Sequence, residues 1–263
     1  MKIAVLIKQV PNTTDVKIDP ETNTLKREGV ESVINPFDTY AIEEGVLIRG
    51  RLGEGEVIVV SMGPPQAEDA LREALSLGCD SAILLSDRKF AGSDTWATSY
   101  TLSQAIRKIG DVDLIICGKQ ASDGDTAQVG PGISTHLDIP QVTYVKKIES
   151  IDKDKATVER MTEEGYDVIE LPLPAVITVV KEINEPRLPS LKGKMKAKKA
   201  EITVWTAEDL ACDEEKIGLD GSPTRVIKVF TPPPREKGRF LEGEPSDISK
   251  ELTKLLKDIV IGG

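Results

Sequence analysis

An α/β domain built on a doubly wound, mostly parallel sheet is the fold this sequence predicts. Residues 2–8 (KIAVLIK), 56–61 (EVIVVS), 81–86 (SAILLS) and 112–117 (VDLIIC) are short β-branched and aliphatic runs with little polar interruption, as strands buried on both faces require. Between them lie stretches with helix start and stop residues, and the two kinds alternate along the first two thirds of the chain.

In order, residues 15–29 (DVKIDPETNTLKREG) place two alternating runs around Asp19-Pro20-Glu21-Thr22-Asn23 and predict a hairpin on the rim of the domain. Asn35-Pro36-Phe37-Asp38 supplies an N-cap, a proline for the first helical position and an acid for the first turn, ahead of a helix over 40–52. A helix over 64–77 stops at Gly78, and Ser93-Asp94-Thr95 opens another that reaches Ile109 and ends at Gly110. Residues 118–131 (GKQASDGDTAQVGP) leave the fourth strand and are expected to enter a helix near Asp125-Thr126. After Pro140, residues 141–150, 155–162, 166–171 and 175–180 are strand-like with turn residues between, which predicts antiparallel additions to the sheet.

Beyond Asn184 the core pattern fades. Residues 186–199 are rich in Pro, Gly and Lys, residues 231–234 (TPPP) form a stiff spacer, and 247–259 carry a helical apolar stripe with Ser246 as cap. The expected division is an α/β domain over 1–184 and an extended C-terminal arm over 185–263. A tail without its own core needs a surface to pack on, either a partner subunit or its own domain.

The net charge of −10, from 34 Lys and Arg against 44 Asp and Glu, argues against nucleic acid as a partner. No apolar run approaches the roughly 18–20 residues that span a bilayer, and no signal-peptide layout follows Met1, so membrane insertion is not expected and the cytoplasm is the expected location. Cys79, Cys117 and Cys212 are far apart, odd in number and without a Cys-x-x-Cys pair, a weak basis for a disulfide, zinc or an iron–sulfur cluster. The single histidine, His136, is expected at a helix C-terminus where the dipole favours its charged form. It has no partners for a metal set or a nucleophilic triad, so catalysis by side chains alone is not expected.

In a parallel sheet, ligands bind beyond the carboxyl ends of the strands, here residues 8–11, 61–64, 87–95 and above all 118–131. Backbone N–H groups at that last turn, with the hydroxyls of Ser122 and Thr126, suit phosphate. Asp123 and Asp125 oppose it unless they cap the helix or bond a ribose. The loop is neither a GxGxxG fingerprint nor a Walker A loop, so a nucleotide site and a plain loop both remain open. Lys192, Lys194, Lys196, Lys198 and Lys199 form a basic cluster that suits either a solvated face or a docking patch.

Over essentially the whole chain these residues resemble the beta subunit of electron-transfer flavoproteins. The resemblance rests on KIAVLIKQVP, INPFDTYAIEEGVLI, VSMGP, LGCDSAILLSD, GKQASDGDTAQVGP and LPAVITVVKEINEPRLPSLKGKMKAKK, with NEPR through MKAKK the most specific part. It implies an adenine nucleotide alpha hydrolase-like fold and a heterodimer with an alpha subunit that the C-terminal arm wraps. In simple members the alpha subunit holds a redox FAD and the beta subunit a structural AMP. In the bifurcating branch the beta site holds a second FAD that takes a hydride from NADH. One electron then goes through the alpha FAD to an acceptor and the other to a low-potential ferredoxin or flavodoxin. GDTAQVGP and the loop FAGSDT look like that branch, whereas simple members often have Cys at Met62 and Asp-Asp at Gly124-Asp125.

The cofactor site implied comprises Leu6, Asn35, Pro36, Phe37, Asp38, Met62, Gln120, Ala121, Ser122, Asp123, Gly124, Asp125, Thr126, Ala127, Gln128, Val129, Gly130 and Pro131. To it are added Phe90, Asp94 and Thr95 of FAGSDT, and Lys8 against flavin or phosphate charge. Similarity also makes Pro189, Ser190, Leu191, Lys192, Gly193 and Lys194 a recognition loop for a flavin-dependent dehydrogenase acting on acyl-CoA, lactate or a similar substrate, with Leu191 as apolar anchor. The rival from another class is a non-redox AMP- or ATP-binding sensor, which has no need of a docking loop or an arm.

Overall fold

The computed structural model describes residues 1–12, 32–227, 238 and 240–261, with side chains to 257. The hairpin expected over 15–29 and the TPPP spacer lie outside the described residues. Two compact units are present, Met1–Ile227 and Lys228–Gly263.

The first unit opens with β1 (Lys2–Ile7), whose side chains alternate between two cores as strand geometry dictates. Ile3, Val5 and Ile7 point to one core and Ala4 and Leu6 to the other. β2 (Gln9–Pro11) and β3 (Ser32–Ile34) pair antiparallel as a separate two-stranded ribbon. Next come α1 (Pro36–Leu52), β4 (Glu56–Met62), α2 (Glu68–Leu77) after one 3-10 turn, β5 (Ser81–Leu85), α3 (Thr95–Ile109) and β6 (Leu114–Gly118). α3 has its expected start, because Asp94 Oδ1 accepts from the Trp96 and Ala97 amides.

The last helix of this series begins later than the sequence suggested. α4 is Val129–Leu137, so residues 119–128 remain loop. Asp125 and Ala127 adopt positive φ (50° and 53°), which stops helical continuation through them.

β7 (Gln141–Ile151), β8 (Lys155–Met161), β9 (Tyr166–Pro172) and β10 (Ala175–Val179) follow, and with β11 (Thr203–Trp205) one nine-stranded sheet results, ordered β11-β5-β4-β1-β6-β10-β7-β8-β9. The antiparallel additions are the β7–β8 and β8–β9 pairs. β10 instead returns inward, parallel to both β6 and β7, with every residue buried. In chain order the sheet grows outward from β1 through β4 to β5, then restarts on the other flank of β1 with β6. The reversal puts a crevice beyond the carboxyl ends of β1 and β6.

α1 and α2 cover one face around Ile42, Ile48 and Leu71, while α3 and α4 cover the other around Tyr100, Ile106 and Ile133. Each such side chain stabilises the fold by about 1.5–3 kcal/mol. The chain after 184 joins both layers. α5 (Leu191–Lys199) lies on the first face with Ala197 buried, β11 (Thr203–Trp205) extends the sheet beside β5, and Leu210 and Ile217 enter the second core. The expected division at 184/185 thus falls inside the first compact unit.

In the second unit α6 (Pro245–Ile261) carries half-exposed Leu252 and Leu256. Ser246 sits inside this helix rather than capping it, because the helix begins one residue earlier at Pro245. Among the described residues no helix is long and apolar enough to cross a membrane.

Candidate functional site

The crevice at the β1/β6 switch point is assembled by the first turn of α1. Asn35 stands at the N-cap position, yet its side chain makes no cap bond. It reaches the loop after β6 instead: Nδ2 donates to the Gln120 carbonyl (2.8 Å) and Oδ1 accepts from the Ser122 amide (3.0 Å). Asp38 is buried behind it and accepts from the Lys8 amide at 2.7 Å. Burial pushes the Asp38 carboxyl up to about 7, outweighing its hydrogen bonds with Asn35 and with the Lys8 and Gly118 amides.

Gly118 is what lets α1 come this close. A Cβ there would lie 2.3 Å from Asp38 Oδ1 and 2.7 Å from the Phe37 carbonyl carbon. In the sequence residue 118 is only the start of a loop; the need for a bare backbone there arises when two segments 80 residues apart are brought together.

Across the crevice Lys8 Nζ pairs with Asp123 Oδ1 at 2.6 Å, and Gln120 Nε2 donates to Asp125 Oδ1 at 2.7 Å. Asp123 is thus ion-paired with Lys8, and Asp125 accepts from Gln120 within its own loop. The amides of Val129 and Gly130 open the first turn of α4, where N–H groups have no intrahelical partner. Gly124 has nothing within 4 Å of a built Cβ, so its backbone can be approached directly. Beyond β1 and β4 a cleft is lined by Lys8, Gln9, Val10, Pro11, Ser32, Met62, Gly63, Pro64, Gln66 and Ala67. Gln66 and Ser32 were not anticipated, because neither belongs to a motif. The open backbone and first-turn amides, with Lys8 paired to Asp123 at the edge of the crevice, fit the phosphate and ribose portions of a nucleotide.

Asn35, Pro36, Phe37, Asp38, Lys8, Met62 and residues 120–131 therefore gather at one end of the sheet. Leu6 is 5% exposed and packs in the second core, so only its backbone faces the strand end. Phe90 is also a core side chain. Asp94 is committed on both oxygens, capping α3 with one and accepting from the Thr224 amide (3.0 Å) and hydroxyl (2.8 Å) with the other. Burial alone would raise its carboxyl, but these bonds hold it below the usual range. Thr95 begins α3 behind it.

His136 stands in the last turn of α4, as expected, but its charge state does not follow the dipole. Burial lowers its pKa, with Arg107 and Lys216 adding to the effect, so the dipole does not hold it charged. Its ring stacks on Trp96 with centroids 4.2 Å apart.

The expected recognition loop is largely a helix. Ser190 caps α5 by accepting from the Gly193 amide, and Leu191 opens the helix. Leu188, Leu191 and Met195 are 90%, 78% and 59% exposed beside the lysines. The rest of the segment is fixed: a Cβ on Gly193 would meet the Ser76 carbonyl at 2.3 Å, and Arg72 donates to the Ala197 and Ala200 carbonyls.

The comparisons with known proteins agree with this architecture. A family model described as the electron transfer flavoprotein domain matches residues 22–210. The electron transfer flavoprotein subunit beta of Thermoanaerobacterium thermosaccharolyticum is 53% identical over 257 residues, covering 97% of this chain and 98% of that one. Subunit CarD of the caffeyl-CoA reductase-Etf complex of Acetobacterium woodii is 49% identical over 98% of both chains, and protein FixA of Sinorhizobium fredii is 48% identical over 96% of this chain and 92% of its own. A match of this extent shows that the chain belongs to the electron transfer flavoprotein family, as one of its beta subunits.

Proposed function

We propose that the crevice holds FAD and that the beta subunit, paired with an alpha subunit, bifurcates electrons from NADH. One electron goes to a low-potential ferredoxin or flavodoxin, and the other passes through the FAD of the alpha subunit to a flavin-dependent dehydrogenase acting on acyl-CoA, lactate or a similar substrate. The observation that carries the choice of FAD is the continuity of the site at Lys8. This residue both pairs with Asp123 over the crevice and lines the cleft that reaches Met62 and Gln66, so the two parts of the site share one side chain. GDTAQVGP and the FAGSDT loop support the same branch through the resemblance, and the relative from the caffeyl-CoA reductase-Etf complex supports a reductase or dehydrogenase as partner.

When bound, the flavin supplies the redox chemistry and the protein supplies position and charge. Asn35 fixes the loop, Lys8 and the α4 amides meet negative charge, and Asp94 holds the start of α3 beneath the FAGSDT loop. Residues 185–263 carry the docking segment and the arm for the alpha subunit, and the site of action is the cytoplasm. Pro189, Ser190, Leu191, Lys192, Gly193 and Lys194 form the docking surface, with Leu191 as its apolar anchor.

The test is a count of FAD and AMP released per alpha–beta heterodimer after coexpression. Two FAD and no AMP are expected; one of each would make the chain a simple electron carrier with a structural AMP, and no flavin would favour a nucleotide sensor.

Gly124→Leu is expected to leave the unfolding midpoint of the chain little changed, because nothing lies within 4 Å of a Cβ at this position and its φ is not in the left-handed region. The same bulk over the exposed backbone is expected to lower nucleotide content to less than about a tenth. Denaturant unfolding together with nucleotide release checks both halves, and full retention of nucleotide would place the ligand away from this loop.

A further inference from the structure

The exposed side chains of the docking segment explain what a partner would touch, but not why the segment holds one shape. A chain of polar contacts immediately upstream does. Arg187 meets Glu43 of α1 three times: Nε to Oε2 at 2.7 Å, a terminal guanidinium nitrogen to Oε1 at 2.8 Å, and its own amide to Oε2 at 3.1 Å. Glu43 is buried, with its side chain 7% exposed; burial would raise its carboxyl, and the guanidinium outweighs this and holds it below the usual range. Three residues earlier, Asn184 Nδ2 donates to the Tyr40 carbonyl (3.1 Å) and to buried Glu44 (3.0 Å), which also pairs with Arg51. Two adjacent acids in the middle of α1 thus grip the chain as it leaves the sheet.

We propose that Arg187 and Glu43 are a positioning pair that sets the angle at which Leu188, Leu191 and Met195 face a docking dehydrogenase. The inference rests on the docking role assigned above to residues 189–194. A planar guanidinium held by two carboxylate oxygens fixes direction as well as distance, which a point charge does not. Arg72, donating to the Ala197 and Ala200 carbonyls, fixes the other end, so the three apolar side chains project from a span tied on both sides.

Amide hydrogen exchange of the alpha–beta complex reads the positioning directly. Arg187→Gln is expected to speed exchange over residues 188–196 about tenfold or more, and Arg187→Lys less, while amides of 120–130 stay as in wild type. Unchanged exchange over 188–196 in Arg187→Gln overturns the proposal.

The functional arm uses an acyl-CoA dehydrogenase reduced by its acyl-CoA substrate as the probe. Arg187→Gln and Leu191→Ala are both expected to raise the KM for this dehydrogenase about tenfold at unchanged kcat and unchanged flavin content, with Arg187→Lys recovering part of the loss. A KM raised by Leu191→Ala but untouched by Arg187→Gln refutes the positioning role. A KM untouched by Leu191→Ala refutes the docking assignment instead, and the exchange result then decides the clamp alone.

Discussion

Gly118→Ala is expected to dismantle the crevice and to destabilise the chain by about 3 kcal/mol or more. Overpacking a well-filled site typically costs about 1–3 kcal/mol, and here one obstructing atom is the backbone carbon of Phe37, 2.7 Å from the new Cβ. A side-chain rotation cannot relieve that contact. The first turn of α1 must move away from β6, taking with it Asn35, which orders the loop at Gln120 and Ser122, and Asp38, which accepts from the Lys8 amide. Denaturant unfolding and nucleotide release, measured beside Gly124→Ala as an open-space control, check the claim. Wild-type stability with full nucleotide content would mean that α1 shifts at little cost and that the close approach is not what holds the site.

Asp38→Asn should reshape the dependence of stability on pH. The folded carboxyl has its pKa raised from 3.8 to about 7, so the folded state keeps a proton that the unfolded chain has released. Stability from the neutral acid is therefore fully present below the unfolded value and is lost as pH rises through about 7. At 1.36 kcal/mol per pKa unit this amounts to roughly 4 kcal/mol across the window. Asparagine cannot ionise, and its amide oxygen can still accept from the Lys8 amide. The unfolding free energy of wild type minus that of the variant should thus fall by roughly 4 kcal/mol between pH 4 and pH 8. A flat difference would show that Asp38 is ionised in the folded protein throughout.

Much of the fold was legible because buried parallel strands leave a one-dimensional mark: KIAVLIK, EVIVVS, SAILLS and VDLIIC each became an interior strand, and Asp94 capped the helix it precedes. What escaped were features decided by distant partners. Asn35 satisfies every local rule for a cap, but the backbone groups it serves lie 85 and 87 residues away. Asp125-Thr126 looks like a helix start; the helix instead begins at Val129, with Gln128 ahead of it making no side-chain cap bond. The recognition loop expected over 189–194 runs into a helix over 191–199, whose lysines and Gly193 hide any apolar stripe. This helix exists because Arg72 caps its last carbonyls and Ala197 buries against the first core. His136 was assigned from the dipole alone, before burial beside Arg107 and Lys216 could be weighed.

The anchoring of the docking segment also bears on how such subunits change allegiance. Among the described residues, its ties run to Tyr40, Glu43 and Glu44 on α1 and to Arg72 and Ser76 on α2, and none of those five residues contributes a side-chain bond to the loop over the crevice. A stretch that keeps Asn184, Arg187, Gly193 and Ala197 can be exchanged like a cassette, with Leu188, Leu191, Lys192, Lys194 and Met195 free to vary. On the docking role proposed above, partner preference is then free to drift between lineages, or to be transplanted by hand, without a change in the crevice.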